Sequence, residues 1–150
     1  MCGIAGSAGA RGAAAPELVI RARDTMCHRG PDDHGLWTAD DGTVVLGHRR
    51  LSIVDLSPTG NQPMHDPLTG VVLVFNGEIY NFGALRDELA AAGATFRGTS
   101  DTEVLLAAYR EWGVECLQRI SGMFAFVLHD PRQRRLFGAR DRAGEKPFFY

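Results

Sequence analysis

The sequence has no apolar run long enough to cross a bilayer. The longest obvious run is Val71 to Phe75, whereas a membrane-spanning helix needs about 20 apolar residues. The N-terminus is rich in alanine and glycine, but it lacks a basic lead followed by an apolar stretch, and Arg11 interrupts it. We therefore expect neither a signal peptide nor an association with a membrane.

Cysteine is scarce. Cys2, Cys27 and Cys116 are odd in number, lie far apart and form no CxxC pair. This usage argues against a disulfide framework and favours the reducing cytosol, so the predicted location is cytoplasmic. The histidines show no spacing typical of a zinc site, and no metal is predicted in this chain.

Neither sign of charge dominates. The net charge is −2, and lysine and arginine form no dense block, so no nucleic-acid partner is expected. There is no internal repeat. A chain of 150 residues suits one domain with a real core, and its composition is that of an ordinary globular protein.

The first half of the chain alternates short apolar segments with turn residues. We predict strands at 3–7, 36–39 and 43–53, the last two joined by a turn at Asp41-Gly42. A helix is predicted from Pro16 to Cys27. The segments at 28–35 and 57–70 are rich in glycine and proline and are predicted as loops.

The second half shows the clearest periodicity. VVLVF at 71–75 predicts a strand buried on both faces. Two helices follow: one begins at an Asn81 cap and stops at Gly93, and the other begins at the capping-box pattern Ser100 to Glu103. Paired strands are predicted at 123–130 and 135–141. Strands at both ends and helices in the middle indicate an α+β domain with helices packed on sheets.

Cys2 is the first candidate for chemistry. A small residue at position 2 permits removal of the initiator methionine, which would leave Cys2 with a free α-amine. With a reference pKa of about 7.7–8.0, this amine can act as the base for its own side chain, as an N-terminal amine does for a terminal threonine. Position alone is weak support, because some residue must follow Met1.

GHRRLSI at 47–53 holds two neighbouring arginines, Arg49 and Arg50. An arginine at a strand edge presents a rigid fork that can bind a carboxylate through two hydrogen bonds. A solvated basic face explains these two residues at least as well.

FNGEIYN at 75–81 begins with the last residue of the predicted buried strand and continues at once into polar residues. Asn76 offers an amide donor and Gly77 allows its own N–H to approach a ligand, and two adjacent donors suit an oxyanion hole. Glu78 could bind a cation. A strand-to-helix turn, with Asn and Gly present for backbone reasons, is the alternative.

Asp101 lies in the first turn of the second predicted helix, where a carboxylate also complements the helix dipole. Together the candidates provide a nucleophile, two oxyanion donors, a cation for a carboxylate and two anions for an ammonium. A free α-amino acid with a side-chain amide needs that set.

Six strings occur in one order: MCGIAG at 1–6, RGPD at 29–32, GHRRLSIVD at 47–55, FNGEIYN at 75–81, SDTEV at 100–104 and GMFAF at 122–126. In these strings the sequence resembles the glutaminase domain of glutamine-hydrolysing asparagine synthetases, which are class II, N-terminal-nucleophile amidotransferases. The resemblance runs from residue 2 to residue 150. It implies one domain over 1–150 with a four-layer αββα sandwich.

The resemblance also implies a role for each candidate. Cys2 would attack the amide carbonyl of glutamine and form a γ-glutamyl thioester, while Asn76 and the Gly77 N–H would stabilise the oxyanion. The residues implied to bind glutamine are Arg50, Leu51, Ser52, Ile53, Val54, Asn76, Gly77, Glu78 and Asp101. Among them, the arginine would hold the α-carboxylate and the two acidic side chains the α-ammonium.

Further expectations concern partners and extent. The released ammonia would pass to a C-terminal synthetase domain that uses ATP and magnesium, and no cofactor is expected in this chain. The glutaminase domain is expected to be incomplete at its C-terminus, with the synthetase domain absent. A homodimer is kept open. Ala143 and Glu145 replace apolar residues of the family pattern, which puts local packing in doubt more than chemistry.

Other functions compete with this interpretation. A sister amidotransferase, such as one that amidates an N-acetylglutaminylglutamine dipeptide, would look much the same over these residues, and Glu78 mildly favours an asparagine synthetase. A non-catalytic glutamine-binding module would keep Arg50, Glu78 and Asp101 without needing a free Cys2. A purely structural domain would leave the polar residues at strand ends unexplained.

Overall fold

The strands form two antiparallel sheets in the computed structural model, which describes residues 1–10, 12–53 and 55–150. The strands are β1 (Gly3–Ala8), β2 (Asp33–Thr38), β3 (Val44–Arg50), β4 (Met64–His65), β5 (Val72–Ile79), β6 (Gly122–Asp130) and β7 (Arg135–Arg140). The α-helices are α1 (Pro16–Thr25), α2 (Phe82–Ala91) and α3 (Asp101–Trp112), and short 3₁₀ helices span Pro58–Gly60 and Gly113–Gln118. No helix within these ranges is long and apolar enough to cross a membrane.

The first sheet has the order β1-β3-β2, and the second has the order β4-β5-β6-β7. In the first sheet, Gly3 lies opposite Arg49 and Ala8 lies opposite Val44. β2 and β3 are joined by the predicted turn, in which Gly42 adopts a φ of 66°. β2 begins at Asp33, inside the segment predicted as a loop, because β3 supplies a partner strand that no local pattern reveals.

Two apolar cores hold the layers together. Val72 and Val74 of β5 pack with Leu46 of the first sheet, while Leu73 and Phe75 pack against the helices. On the outside, α1 packs on β1 and β3, and α3 packs on β5. The predicted αββα sandwich is therefore confirmed, and the VVLVF segment is buried on both faces, as its apolar run indicated.

The strand prediction for β5 was too short. It ended at Phe75, but the strand continues to Ile79, so that Asn76, Gly77 and Glu78 belong to it rather than to a turn. β6 pairs with β5 over this whole length, whereas the two-residue β4 pairs only with its beginning. The polar residues stay in the strand because β6 forms backbone hydrogen bonds along one edge of β5. On the other edge, side chains accept the N–H groups of Phe75 and Ile79.

The predicted start of α3 is confirmed. Ser100 Oγ accepts the N–H of Glu103 at 3.2 Å, and the helix ends before Gly113, which has a φ of 57°. The pattern is half of a capping box, because the Glu103 carboxylate instead accepts the N–H groups of Arg97 at 2.7 Å and Gly98 at 2.9 Å.

Asn81 precedes α2, but its side chain does not cap the helix. Its Nδ2 donates to the carbonyl of Arg119 at 2.8 Å, and its Oδ1 accepts the N–H of Ser121 at 2.9 Å. The prediction that the Asn81 side chain caps α2 is therefore wrong. The amide ties the start of α2 to the segment that leads into β6, and this long-range pairing leaves no local sequence signal.

Candidate active site

A cavity of about 100 Å³ lies where the beginning of β1, the end of β3 and the open edge of β5 meet the start of α3. Every predicted site residue that the structure describes borders it: Cys2, Arg50, Leu51, Ser52, Ile53, Asn76, Gly77, Glu78 and Asp101. Val54, the remaining one, lies outside the described residues. The fold thus brings the predicted set to one place, and the individual roles stay predictions.

Cys2 reaches the cavity from the position before β1. The N–H of Leu51 donates to its Sγ at 3.4 Å, and Arg29 Nε donates to its carbonyl oxygen at 3.1 Å. The thiol is partly exposed. While Met1 is attached, the nitrogen of Cys2 belongs to a peptide bond and cannot act as a base. Removal of Met1 is therefore a requirement of the predicted chemistry.

The open edge of β5 explains why Gly77 can act as a donor. In an antiparallel strand, the N–H groups of alternate residues point to the same side. Phe75 and Ile79 point theirs away from β6, where they donate to Gln62 Oε1 at 2.6 Å and to Asp101 Oδ2 at 3.0 Å. Gly77 lies between them, so its N–H points to the same side, which the cavity borders.

Asn76 projects from β5 toward the first sheet. Side chains alternate along a strand, so Asn76 shares the face of Val74, which packs against that sheet. Cys2 precedes β1 of the first sheet, so it lies on the side that Asn76 faces. Cys2 and Asn76 also border a cavity of about 510 Å³ between the sheets. A Cβ at Gly77 would overlap the carbonyl oxygen of Met123, so glycine is required there unless β6 moves.

Arg50 ends β3 and is fixed by the loop that follows. Its Nη1 donates to the carbonyl of Ser57 at 3.0 Å and to the Asn61 side chain, while its Nη2 donates to the carbonyl of Asp55. Gly60 makes room for the guanidinium, which a Cβ at that position would overlap. The predicted fork is therefore oriented before a ligand arrives, with part of its hydrogen-bonding capacity used by the loop.

The two neighbouring arginines point to different places. Arg49 Nη2 pairs with Asp24 Oδ1 at 2.7 Å, on the side of α1, and Arg49 does not border the cavity. The alternation of side chains along β3 separates them. This geometry supports the prediction that Arg50, rather than Arg49, faces the substrate.

Asp55 anchors the loop after β3, and the sequence prediction missed it. Its Oδ1 accepts the hydroxyl of Ser57 at 2.6 Å, and its Oδ2 accepts the hydroxyl of Thr59 at 3.0 Å and the N–H of Thr99 at 3.1 Å. These bonds, with that from the Ser57 hydroxyl first, hold the pKa of Asp55 well below its usual range. Asp-x-Ser is a turn signal, but no local pattern reveals the bond to Thr99.

Two acidic side chains border the cavity in different surroundings. Asp101 is buried at the first position of α3, whereas Glu78 is exposed on β5. Burial raises the pKa of Asp101, the charge on Glu78 adds to the increase, and the N–H groups of Ile79 and Thr102 oppose it. An ammonium bound beside this carboxylate would offset the cost of burying its charge.

Three more residues, one bordering the cavity and two holding residues that border it, were missed as individual contributors. Asp32 Oδ2 accepts the N–H of Ser52 at 2.8 Å, and Arg29 donates to the Cys2 carbonyl. The RGPD string therefore fixes two residues that border the cavity. Lys146 borders the cavity at 3% exposure, with its Nζ 2.8 Å from the sulfur of Met1. In the sequence, the RGPD string contributed only to the family resemblance. A lysine that is buried at a cavity, as Lys146 is, is typical of a functional site.

Metal chemistry has no evident centre in the described ranges. No group of three or more His, Cys, Asp or Glu side chains there is arranged to hold a metal ion. Cys2, Cys27 and Cys116 are free thiols. The expectation that ATP and magnesium act only in a further domain stays a prediction.

The arrangement can accept an α-amino acid whose side chain carries a carbonyl. A thiol and two donors on adjacent residues, all bordering one cavity, suit attack on that carbonyl. Arg50 and the pair Glu78 and Asp101 suit the carboxylate and ammonium of the same molecule.

Residues 1–150 match a family model described as a glutamine amidotransferase domain. The chain is 48% identical over 164 residues to a putative glutamine-hydrolyzing asparagine synthetase of Mycobacterium tuberculosis, covering 99% of this chain and 25% of that protein. It is 44% identical over 154 residues to the glutamine-hydrolyzing asparagine synthetase 3 of Bacillus subtilis, covering 100% of this chain and 25% of that protein. The chain therefore spans about a quarter of the length of these relatives.

Two other matches widen the comparison. Amidase chry2 of Gibberella zeae is 46% identical over 127 residues, covering 85% of this chain and 19% of that protein. Among solved structures, the glutamine phosphoribosylpyrophosphate amidotransferase of Bacillus subtilis aligns with a TM-score of 0.68 and 21% identity, over 86% of this chain and 34% of that chain. At that identity the alignment supports the fold alone, and it agrees with the sandwich described above.

Proposed function

The chain belongs to the glutamine amidotransferase domain family, and we propose that it hydrolyses glutamine to glutamate and ammonia through a thioester on Cys2. One observation carries the proposal: a single cavity is bordered by the Cys2 thiol, the open-edge Gly77 and the buried Asp101. Nucleophile, oxyanion donor and ammonium partner are the three groups that this reaction needs in one place.

The first half of the reaction forms the thioester. Once Met1 is removed, the α-amine of Cys2 takes the thiol proton, and the sulfur attacks the amide carbon of glutamine. The C–S bond forms as the carbonyl electrons move to oxygen, which accepts hydrogen bonds from Asn76 Nδ2 and the Gly77 N–H. The amine then gives its proton to the leaving nitrogen, the C–N bond breaks, and ammonia departs.

The second half returns the enzyme to its starting state. Water attacks the thioester carbon while the α-amine of Cys2 accepts a proton from it. The same donors hold the second oxyanion. The C–S bond breaks, glutamate leaves, and the thiol regains its proton. Arg50 would hold the α-carboxylate and Asp101, with Glu78, the α-ammonium throughout, beside Leu51, Ser52 and Ile53, which border the same cavity.

For the whole protein we propose aspartate as the ammonia acceptor, activated by ATP and magnesium in a synthetase domain beyond these residues. The relatives named asparagine synthetases, which match nearly the whole chain at 44–48% identity, support this choice. A relative of similar identity, 46%, is named an amidase instead, and a sister amidotransferase with another acceptor is the alternative. Incubating the full-length protein with glutamine, ATP, magnesium and aspartate tests the choice by formation of asparagine.

We place the activity in the cytosol, where a reducing environment keeps the Cys2 thiol free. A homodimer stays a prediction, which sedimentation of the full-length protein tests.

Glutamate release by wild type and by Cys2→Ala tests the glutaminase proposal. We expect turnover by wild type, none by Cys2→Ala, and glutamine binding by both in calorimetry. Binding without turnover in a wild-type protein that begins at Cys2 would instead support a non-catalytic glutamine-binding module. Absence of binding would contradict both.

A further inference from the structure

His48 is a buried histidine that the proposed mechanism does not use. It is 0% exposed, and its Nε2 lies 3.1 Å from the carbonyl oxygen of Phe75. A carbonyl only accepts hydrogen bonds, so Nε2 must carry the proton and donate. Nδ1 is then an acceptor, and it has no hydrogen-bond partner among the described residues. Burial lowers the pKa of His48 to about 4, so the ring stays neutral near neutral pH.

The hydrogen bond of His48 joins the two sheets beside the nucleophile. His48 lies on β3, directly opposite Ile4 of β1, which is two residues after Cys2. Its partner Phe75 immediately precedes Asn76 and Gly77 on β5. The bond therefore connects the sheet that carries the nucleophile with the strand that carries both oxyanion donors.

Phe75 depends on side chains because β4 pairs only with Val72 and Leu73, at the beginning of that edge of β5. Its N–H donates to Gln62 Oε1 at 2.6 Å, and its carbonyl accepts from His48. Both partners are side chains that do not belong to the strands of the second sheet. A strand neighbour would fix this segment by its backbone, but it would also cover the Gly77 N–H two residues further on. A single histidine fixes the segment and leaves the edge open.

A burial role alone does not explain a histidine here. An apolar side chain of similar size would fill the space and avoid the unpaired Nδ1, but it would leave the Phe75 carbonyl oxygen without the donor that His48 provides. The histidine contributes one directed hydrogen bond to the peptide group before Asn76.

We propose that His48 is a positioning residue for glutamine hydrolysis, which holds Asn76 and Gly77 at the correct distance from the Cys2 sulfur through the Phe75 carbonyl. The inference rests on the proposed glutaminase function. A misplacement of about 1 Å can cost roughly 10²-fold in turnover, so the effect should appear in kcat. Arg50 lies on β3 and Asp101 on α3, so we expect KM to change much less than kcat.

The test compares His48→Phe and His48→Gln with a matched control, His129→Gln. His129 also carries a buried Nδ1 without a hydrogen-bond partner in the described part of the chain, but it contacts Trp37 and does not border the cavity. We expect His48→Phe to lower kcat by roughly 10²-fold, and His48→Gln to recover most of it, because the Gln amide nitrogen can occupy the place of Nε2. His129→Gln should leave kcat at the wild-type value.

Alkylation of Cys2 by iodoacetamide separates positioning from general damage. This substitution forms no oxyanion, so its rate reports the nucleophile and not the donors. We expect His48→Phe to alkylate at a rate close to that of wild type while its kcat falls. Parallel losses of alkylation and turnover would show a merely structural role and overturn the proposal.

A double-mutant cycle adds an independent readout. If His48 acts through the oxyanion donors, adding His48→Phe to Asn76→Ala should cost less in kcat than adding it to wild type. Strict additivity would contradict the proposal. If His48→Phe does not fold, His48→Gln and His48→Asn decide the matter, because the shorter Asn amide cannot reach the Phe75 carbonyl, and equal kcat values would overturn it.

Failure of the proposed function and failure of the positioning role give different experimental results. A wild-type protein that begins at Cys2 and does not hydrolyse glutamine would remove the proposed function, and the positioning role with it. An active wild type whose kcat is matched by His48→Phe would remove the positioning role alone.

Discussion

The N–H of Ile79 donates to Oδ2 of Asp101 at 3.0 Å, two residues beyond Gly77 on the open edge of β5. One buried carboxylate thus fills the edge of the strand and borders the cavity at the same time. The position of the oxyanion strand and the site for the substrate ammonium are therefore coupled through Asp101.

Asp101→Asn should weaken glutamine binding and stabilise the unliganded protein. Loss of a charged partner for the ammonium should raise KM by roughly 10- to 100-fold. The folded pKa of Asp101 is raised by burial, so its contribution to folding is present below the unfolded pKa and is lost as the pH rises through the folded pKa. At pH 7 the variant, which cannot ionise but can still accept the Ile79 N–H, should melt at a higher temperature than wild type.

Melting curves at pH 7 and near pH 4, beside kinetics, check this prediction. The stability gap should shrink at the lower pH, where the wild-type carboxyl becomes protonated. Asp87→Asn, on the exposed face of α2, serves as the control. An unchanged KM, or a lower melting temperature at pH 7, would show that Asp101 does not act as described.

Asn76→Ala should lower kcat for glutamine hydrolysis by about 10²–10³-fold, because one of the two oxyanion donors is lost. KM should change little. Asn81→Ala is a matched control, since Asn81 holds Arg119 and Ser121 outside the cavity. A loss of less than tenfold would remove Asn76 from this role.

Arg50→Lys and Arg49→Lys should differ sharply. Lysine cannot reproduce the planar fork, so Arg50→Lys should raise KM by roughly tenfold or more, in line with a lost charged hydrogen bond. It should also destabilise the following loop, in which the carbonyl groups of Ser57 and Asp55 accept hydrogen bonds from Arg50. Arg49→Lys can still pair with the exposed Asp24. Steady-state kinetics with the opposite ranking would identify Arg49 as the substrate-binding residue.

Asp55→Asn should destabilise the loop that shapes the pocket. The folded pKa of Asp55 is lowered, chiefly by the Ser57 hydroxyl, so its contribution to stability is present above the unfolded pKa and is lost as the pH falls through the folded value. The variant should melt below wild type at pH 7, and the gap should narrow as the pH falls below about 4. Thermal melts across that range test this. A gap that does not depend on pH would assign the loss to packing instead of charge.

Much of the fold could be predicted because it rests on local patterns. The apolar run at 71–75 identified a doubly buried strand, and Ser100 identified the start of α3. The end of β5 was missed because polar residues after Phe75 looked like a turn, although β6 keeps them in the strand. Only the partner strand, far away in sequence, determines where β5 ends.

The candidate site, like the fold, could be predicted from the sequence only in part. Cys2, Arg50, Asn76 and Asp101 were identified by their chemistry and by the resemblance, and the fold brings them to one cavity. The supporting residues were not, because their partners are distant: Asp55 binds Thr99, and His48 binds Phe75. Neither contact follows from composition or periodicity, and both require the packed structure.

The most direct test of the account is mass spectrometry of the protein trapped during turnover with glutamine. The protein should begin at Cys2, and quenching in acid should preserve a γ-glutamyl group that peptide mapping assigns to that residue. Active protein that retains Met1, or an adduct carried by another residue, would contradict the central claim that the terminal Cys2 is the nucleophile.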